Sequence, residues 1–362
     1  MQDLKTAARV PLHYWSKFRS WHKSLSPTKQ AVFQDIVVWG VAVLCIWWIG
    51  RGITIHKLIN TFQHSKLWLF LLANIGSFFI WWLGDTLLFA KLFSFFHKKT
   101  TFRELLPATA AQYFLQAINI LAADGALVVF LNRRKGVKWL TATWTMMYQG
   151  LIDALCLAFT ATVAAVLVPR SVTHWLLPYL AGALGFLLLV GLWWARGKPI
   201  TRLEKWMYNR PSAKAFREAG WREYLTLGSI RLSLMVIQGF LNYFSFVAFW
   251  PKVPLIQVLA LTPAILAAGN EPITPQGLGP LQAVVVAGLS NFAPRDRMLA
   301  ASLGISIVAI LCRLPLGMGA AGTFARRVML LEATKGKSEE QSPQFTEQSD
   351  KVEKREPAKA VR

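Results

Sequence analysis

The stretch "NEPITPQGLGPLQ", residues 270–282, sets three prolines, two glycines and one carboxylate inside an apolar run. "LIQVLALTPAILAAG" (255–269) precedes it and "AVVVAGL" (283–289) follows it. Pro272 and Pro275 lack backbone donors and block helical continuation, whereas Gly277 and Gly279 permit tight turning. Pro280 suits the first turn of a new helix, where its missing N–H costs little. Unpaired backbone groups in hydrocarbon are costly, so a break at membrane depth must be shielded by protein or line a wet cavity. An ordinary loop between two short spans is the competing reading, because loops also collect Pro and Gly.

The rest of the chain decides in favour of a membrane setting. It has 362 residues, is 54% hydrophobic and carries 16 Trp, too apolar and aromatic for an ordinary soluble domain. Apolar windows long enough to span a bilayer lie at about 32–50, 67–90, 145–168, 175–195, 225–249 and 298–320. Two more, 105–131 and 254–290, are long but interrupted. Cys45, Cys156 and Cys312 all fall inside apolar spans and read as small core residues. Residues 1–31 lack a short apolar run with a cleavage site, so the first span is expected to act as an uncleaved signal anchor.

A net charge of +22 invites a nucleic-acid reading, but the basic residues sit between apolar spans, where they orient a membrane protein. No nucleic-acid partner is therefore expected. Interior segments at 1–31, 91–104, 132–138, 196–222 and from 323 onward would hold 31 of the 40 Lys and Arg. That count requires both interrupted stretches to enter the bilayer and return to the side they came from. If 105–131 crossed fully, the "NRRKGVK" cluster (132–138) would land outside. The predicted architecture is an all-α polytopic bundle with about six full spans and two opposed re-entrant broken helices. Both termini are then cytoplasmic. Residues 1–31 form a basic, aromatic segment suited to an anionic leaflet, 32–325 the transmembrane domain, and 326–362 a charged disordered tail.

Opposed broken helices are the pattern of inverted repeats, in which two breaks meet near the midplane and form a substrate site. "ILAADGALVVFL" (120–131) and "ILAAGNEPITPQGLGPLQAVVV" (265–286) offer a weak echo of such a repeat. A half-helix starting at Gly279–Pro280 would present free N–H groups and partial positive charge to an anionic group such as a lipid phosphate.

Intramembrane charges supply the remaining candidates, since charge at depth usually faces a cavity or a partner. Asp124 is placed at the first break and Glu271 opens the second. Asp153 lies in "MMYQGLIDALCLAF" (146–159), with Gln149 one turn earlier. Arg231 and Arg313 are expected to hold a phosphate or to pair with Asp153 and Glu271; snorkelling is the alternative for both. For Asp85, mid-span by count, a structural hydrogen bond and a transport role stand side by side. No HExxH, Walker, GxSxG or metal-spaced Cys/His pattern occurs, so no catalytic residue, metal or cofactor is expected.

"PITPQGLGPLQAVVVAGL" (272–289) resembles the P-x-s-P-G-G-L-G-x-x-E segment of the flippase-like integral membrane proteins related to the lysylphosphatidylglycerol synthase transmembrane region. "QAINILAADGALVVFLNRRKGVKWLTATWTMMYQGLIDALCLAF" (116–159) looks like that family's first broken segment, R-R-x-G loop and following polar span. The resemblance covers roughly residues 100–325. It implies a bacterial cytoplasmic-membrane domain that moves or binds an anionic phospholipid or polyprenyl-linked lipid, and it picks out Pro275, Gly277, Leu278, Gly279 and Asp153. Gln282 stands where the family pattern carries Glu, and "LAADGALVV" (121–129) lacks the usual proline, glutamate and arginine. Asp124 and Glu271 are the neighbouring acids. The leading expectation is a lipid flippase or lipid-binding transporter with membrane lipids as its partners. A lipid-presenting subunit of a separate transferase and a non-transporting scaffold are the competitors.

Overall fold

The computed structural model describes residues 55–118, 120–167, 210–269 and 277–316, with single positions at 182, 185 and 189. The expected segment 1–31, the window 32–50, all but those three positions of the window 175–195, the tail 326–362, and Glu271 and Pro275 lie outside the described residues.

All regular structure among the described residues is helical. A short helix α1 (Ile55–Gln63) leads into α2 (Leu67–Phe96). Helices α3 (Phe102–Ile118) and α4 (Ile120–Lys135) follow, then α5 (Trp139–Leu167). A 3-10 turn at Pro211–Ala213 and helix α6 (Lys214–Glu218) precede α7 (Trp221–Val247). Helices α8 (Leu255–Gly269), α9 (Pro280–Leu289) and α10 (Arg295–Leu316) complete the bundle.

Helices α2, α5, α7 and α10 are long and apolar enough to cross a membrane, while α8 and α9 are shorter apolar helices. Trp68, Leu72, Phe159, Val166 and Leu225 face outward, an arrangement that suits hydrocarbon as the solvent. Helix α2 runs six residues beyond the window that ends at residue 90; Lys91 stays helical because its side chain is exposed.

Contacts sort the loops into two groups at opposite ends of the long helices. At one end, Lys135 Nζ donates to the Lys99 carbonyl at 3.0 Å and pairs with Glu104 at 2.9 Å. Phe96, Tyr148 and Phe216 stack edge to face there, and His97 bonds Thr145 at 2.8 Å. The basic loops near 98–103, 133–138 and 210–222 are thereby gathered together. At the other end, Lys66 N–H donates to the Ala248 carbonyl at 2.9 Å, Arg297 to that of Phe249 at 3.0 Å, and Trp250 to that of Phe292 at 3.1 Å. Helices α3 and α4 therefore begin and end at the first group, and α8 and α9 at the second.

One expectation is corrected. Asp124, expected at the first break, lies inside α4, which is helical from Ile120 to Lys135. The echo "ILAA" also loses its equivalence: it opens α4 but closes α8. Ala and Leu favour helix wherever they fall, so the match in sequence carries no match in position.

Candidate functional site

Two packed cores flank a cavity of about 600 Å³. One core joins α2 to α5 and α7 around Leu88, Phe93, Leu131 and Ile152; the other joins α7 to α10 around Phe246, Leu261, Val285 and Met298. Among the described residues, the charged ones that line the cavity are Asp85, Asp124, Asp153, Arg231 and Arg313.

Arg231 on α7 is nearly sealed, its side chain 6% exposed, and it bridges two acids. Its Nε and Nη2 donate to the two oxygens of Asp153 on α5, at 2.5 and 2.8 Å. Its Nη1 donates to Asp85 Oδ1 on α2 at 2.9 Å. Such a fork-on-fork pair combines charge with fixed geometry. Tyr113 on α3 donates its hydroxyl to Asp85 Oδ2 at 2.7 Å, and Gln149 Nε2 donates to Asp153 Oδ1 at 2.6 Å. The guanidinium also lies 5.2 Å from the Trp81 ring centroid. Four helices thus converge on one buried ionic cluster, the price of charge at depth being met by partners on every side.

Arg313 on α10 is placed differently. It stacks over the Tyr113 ring at 5.5 Å, and its buried Nε has no hydrogen-bond partner among the described residues. No ion pair holds it among the described residues, unlike Arg231. Asp124 also lines the cavity and accepts one hydrogen bond, from Gln112 Nε2 at 3.2 Å.

The glycine-proline break lies beside this cavity. Gly277 and Gly279 take positive φ of 63° and 98°, where a side chain is strained, and α9 starts at Pro280 as its chemistry requires. A Cβ on Gly277 would collide with the Ala268 carbonyl and lie 2.6 Å from Gly269 Cα, so the break packs directly on the end of α8. Leu281 and Gly269 face the cavity, but Gln282 does not: it is fully buried. Its Oε1 accepts the Gly279 N–H at 2.6 Å, and its Nε2 donates to the Ser302 carbonyl and Ser306 Oγ, both at 3.2 Å. Gln282 is a cap for the broken helix and a tie to α10.

The cavity therefore unites Asp124, Gln149, Asp153, Arg231 and Arg313, with the glycine break at its edge. Tyr113 and Gln112 were missing from the sequence candidates, and Asp85 was left between a structural hydrogen bond and a transport role. A lone Asp within thirty apolar residues was the available signal for Asp85; nothing local marked Tyr113 or Gln112. Among the described residues no group of His, Cys, Asp or Glu could hold a metal.

A family model described as the lysylphosphatidylglycerol synthase TM region matches residues 36–317. The search of curated proteins finds no match.

Proposed function

Because the chain belongs to the lysylphosphatidylglycerol synthase TM-region family, we propose that it takes the phosphate-bearing headgroup of a membrane lipid into the central cavity and carries it across the bilayer. The protein is a multi-pass integral membrane protein of a family tied to lipid handling. The observation that carries the reading is Arg313: a half-buried arginine on the cavity wall, whose buried Nε is unpartnered among the described residues. A buried N–H donor left without a partner is costly, and a lipid phosphate is the anion most available in a membrane to meet it. Arg231 contributes less to an incoming anion because two carboxylates already neutralise it. The end of α9 also offers less than a free helix terminus, since Gln282 occupies the Gly279 N–H.

In this reading, α3–α4 and α8–α9 are re-entrant pairs that enter from opposite faces. The basic loops at 98–103, 133–138 and 210–222 face the cytoplasm of a bacterium, as do both termini. The substrate is an anionic phospholipid or a polyprenyl-linked phosphate. A translocation assay with fluorescent lipids in proteoliposomes tests this. Wild type should exceed empty liposomes, Arg313→Gln should remove most of the excess, and Gly279→Leu should do the same by straining the break. Equal rates in all preparations would end the transport reading. The family's name, taken from the membrane region of a synthase, favours one competitor: a subunit that presents lipid to a separate transferase. Stable co-purification with a soluble transferase would support it.

A further inference from the structure

We propose that Asp153 is an internal stand-in for the headgroup phosphate on Arg231. A phosphate entering the cavity displaces the Asp153 carboxylate, while Asp85 holds the guanidinium in place. The proposal rests on the lipid-handling reading and adds the exchange by which the headgroup would be seated.

The two acids on Arg231 are held unequally. Asp85 is tucked away, its side chain 12% exposed, and is held by the Tyr113 hydroxyl as well as by Nη1. Asp153 is 41% exposed, lines the cavity, and sits on the Nε–Nη2 edge of the guanidinium. That edge matches a carboxylate or a phosphate equally well, because both present two oxygens at similar spacing. Gln149 Nε2 completes the cradle with a third donor to the same carboxylate. Gln149 is itself buried, and its Oε1 is unpartnered among the described residues. Three donors thus converge on a position that faces the cavity and is now filled by the protein's own anion.

Charge points the same way. One guanidinium serves two carboxylates, so one of the two is surplus to neutralisation. The surplus acid is the one with water-accessible surface, and it can stay hydrated after it leaves. The other keeps Arg231 aimed, so the site does not collapse when its first occupant departs. Arg313 stacks over the ring of Tyr113, whose hydroxyl holds Asp85, and lines the same cavity. No bond is made or broken; one anion replaces another on the same donors.

The full-length protein in detergent provides the test, with calorimetric binding of dioctanoyl phosphatidylglycerol, dioctanoylglycerol and inorganic phosphate. Asp153→Asn removes the competing charge and should tighten phosphatidylglycerol binding roughly tenfold, whereas Asp85→Asn should weaken it by a similar factor. Asp153→Ser is a second variant with the same expected sign. Dioctanoylglycerol, which lacks phosphate, should respond to none of them. In wild type, infrared difference spectra on adding phosphatidylglycerol should show a carboxylate leaving a guanidinium. Weaker or unchanged lipid binding in both Asp153 variants, or a flat carboxylate region in wild type, overturns the exchange. Wild-type binding of the lipid would then still leave the lipid-handling reading standing. No lipid binding by wild type or any variant overturns both. Tightening toward inorganic phosphate without any toward the lipid overturns the lipid as the source of the phosphate.

Discussion

Arg231 and Asp153 lie 78 residues apart in sequence and meet through two hydrogen bonds, Nε to Oδ1 at 2.5 Å and Nη2 to Oδ2 at 2.8 Å. The pair locks α7 to α5, and Asp85 extends the lock to α2. Removing one member of a buried ionic cluster leaves the others without counter-charge, which costs more than the cluster contributes when whole. Arg231→Met should therefore lower stability by about 3–5 kcal/mol. Combining it with Asp85→Asn and Asp153→Asn should restore most of that loss. Unfolding in detergent measures both; a single variant as stable as wild type would show that the cluster does not hold the bundle.

Gln282 gives a prediction with an unusual sign. Restoring the acid of the family pattern, Gln282→Glu, should destabilise the protein. The Gln282 amide donates to the Ser302 carbonyl and to Ser306 Oγ, and a carboxylate would face that carbonyl with no hydrogen to offer. Gln282→Leu should cost about 1–3 kcal/mol by stranding the Gly279 N–H and the Ser302 carbonyl. Thermal unfolding of the two variants decides it, and a more stable Glu variant would refute the capping role.

Gly277→Ala should be among the most damaging small substitutions in the chain. The left-handed backbone at φ 63° and the nearby Gly269 Cα leave no room for a methyl group. Fluorescence-detected size exclusion should show loss of the monodisperse peak. A normal elution profile and melting curve would mean that the break is looser than described.

His97, just past the end of α2, supplies a pH dependence. Burial first, and the neighbouring Lys214 cation second, hold its pKa below the ordinary 6.5. The unfolded chain therefore binds this proton more readily than the folded protein does. The His97 contribution is complete above about pH 6.5 and is lost as pH falls through that value toward the lower folded one. Melting temperatures from pH 8 to pH 5 should decline, and His97→Gln should flatten the lower part of the curve. Identical profiles for wild type and variant would remove His97 as the cause.

The architecture was largely legible in the sequence because the bilayer imposes a length rule on apolar runs. Windows at 67–90, 145–168, 225–249 and 298–320 match α2, α5, α7 and α10 to within a few residues at most ends. Positive charge at Arg133, Arg134, Lys135 and Lys138 was the sequence ground for expecting 105–131 to return to the side it came from. Positions within that segment were harder. Asp124 was placed at a break, yet it lies inside α4, because one Asp beside one Gly does not stop a helix otherwise rich in Ala and Leu. The site was half legible. Isolated charges in apolar runs are visible one by one, so Asp153 and Arg231 could be named as a pair. That Asp85 and Tyr113 join them depends on how α2, α3, α5 and α7 pack, which no local pattern encodes. Gln282 was read as a missing charge when its amide is the group that α9 and α10 require.

Headgroup occupancy at Arg313 can be read directly by native mass spectrometry of the purified protein. Wild type should retain a phosphate-bearing lipid, and Arg313→Gln, folded by its melting curve, should lose it. Equal lipid occupancy in the two proteins, or a wild type that retains only lipids without phosphate, would contradict a phosphate-seating cavity.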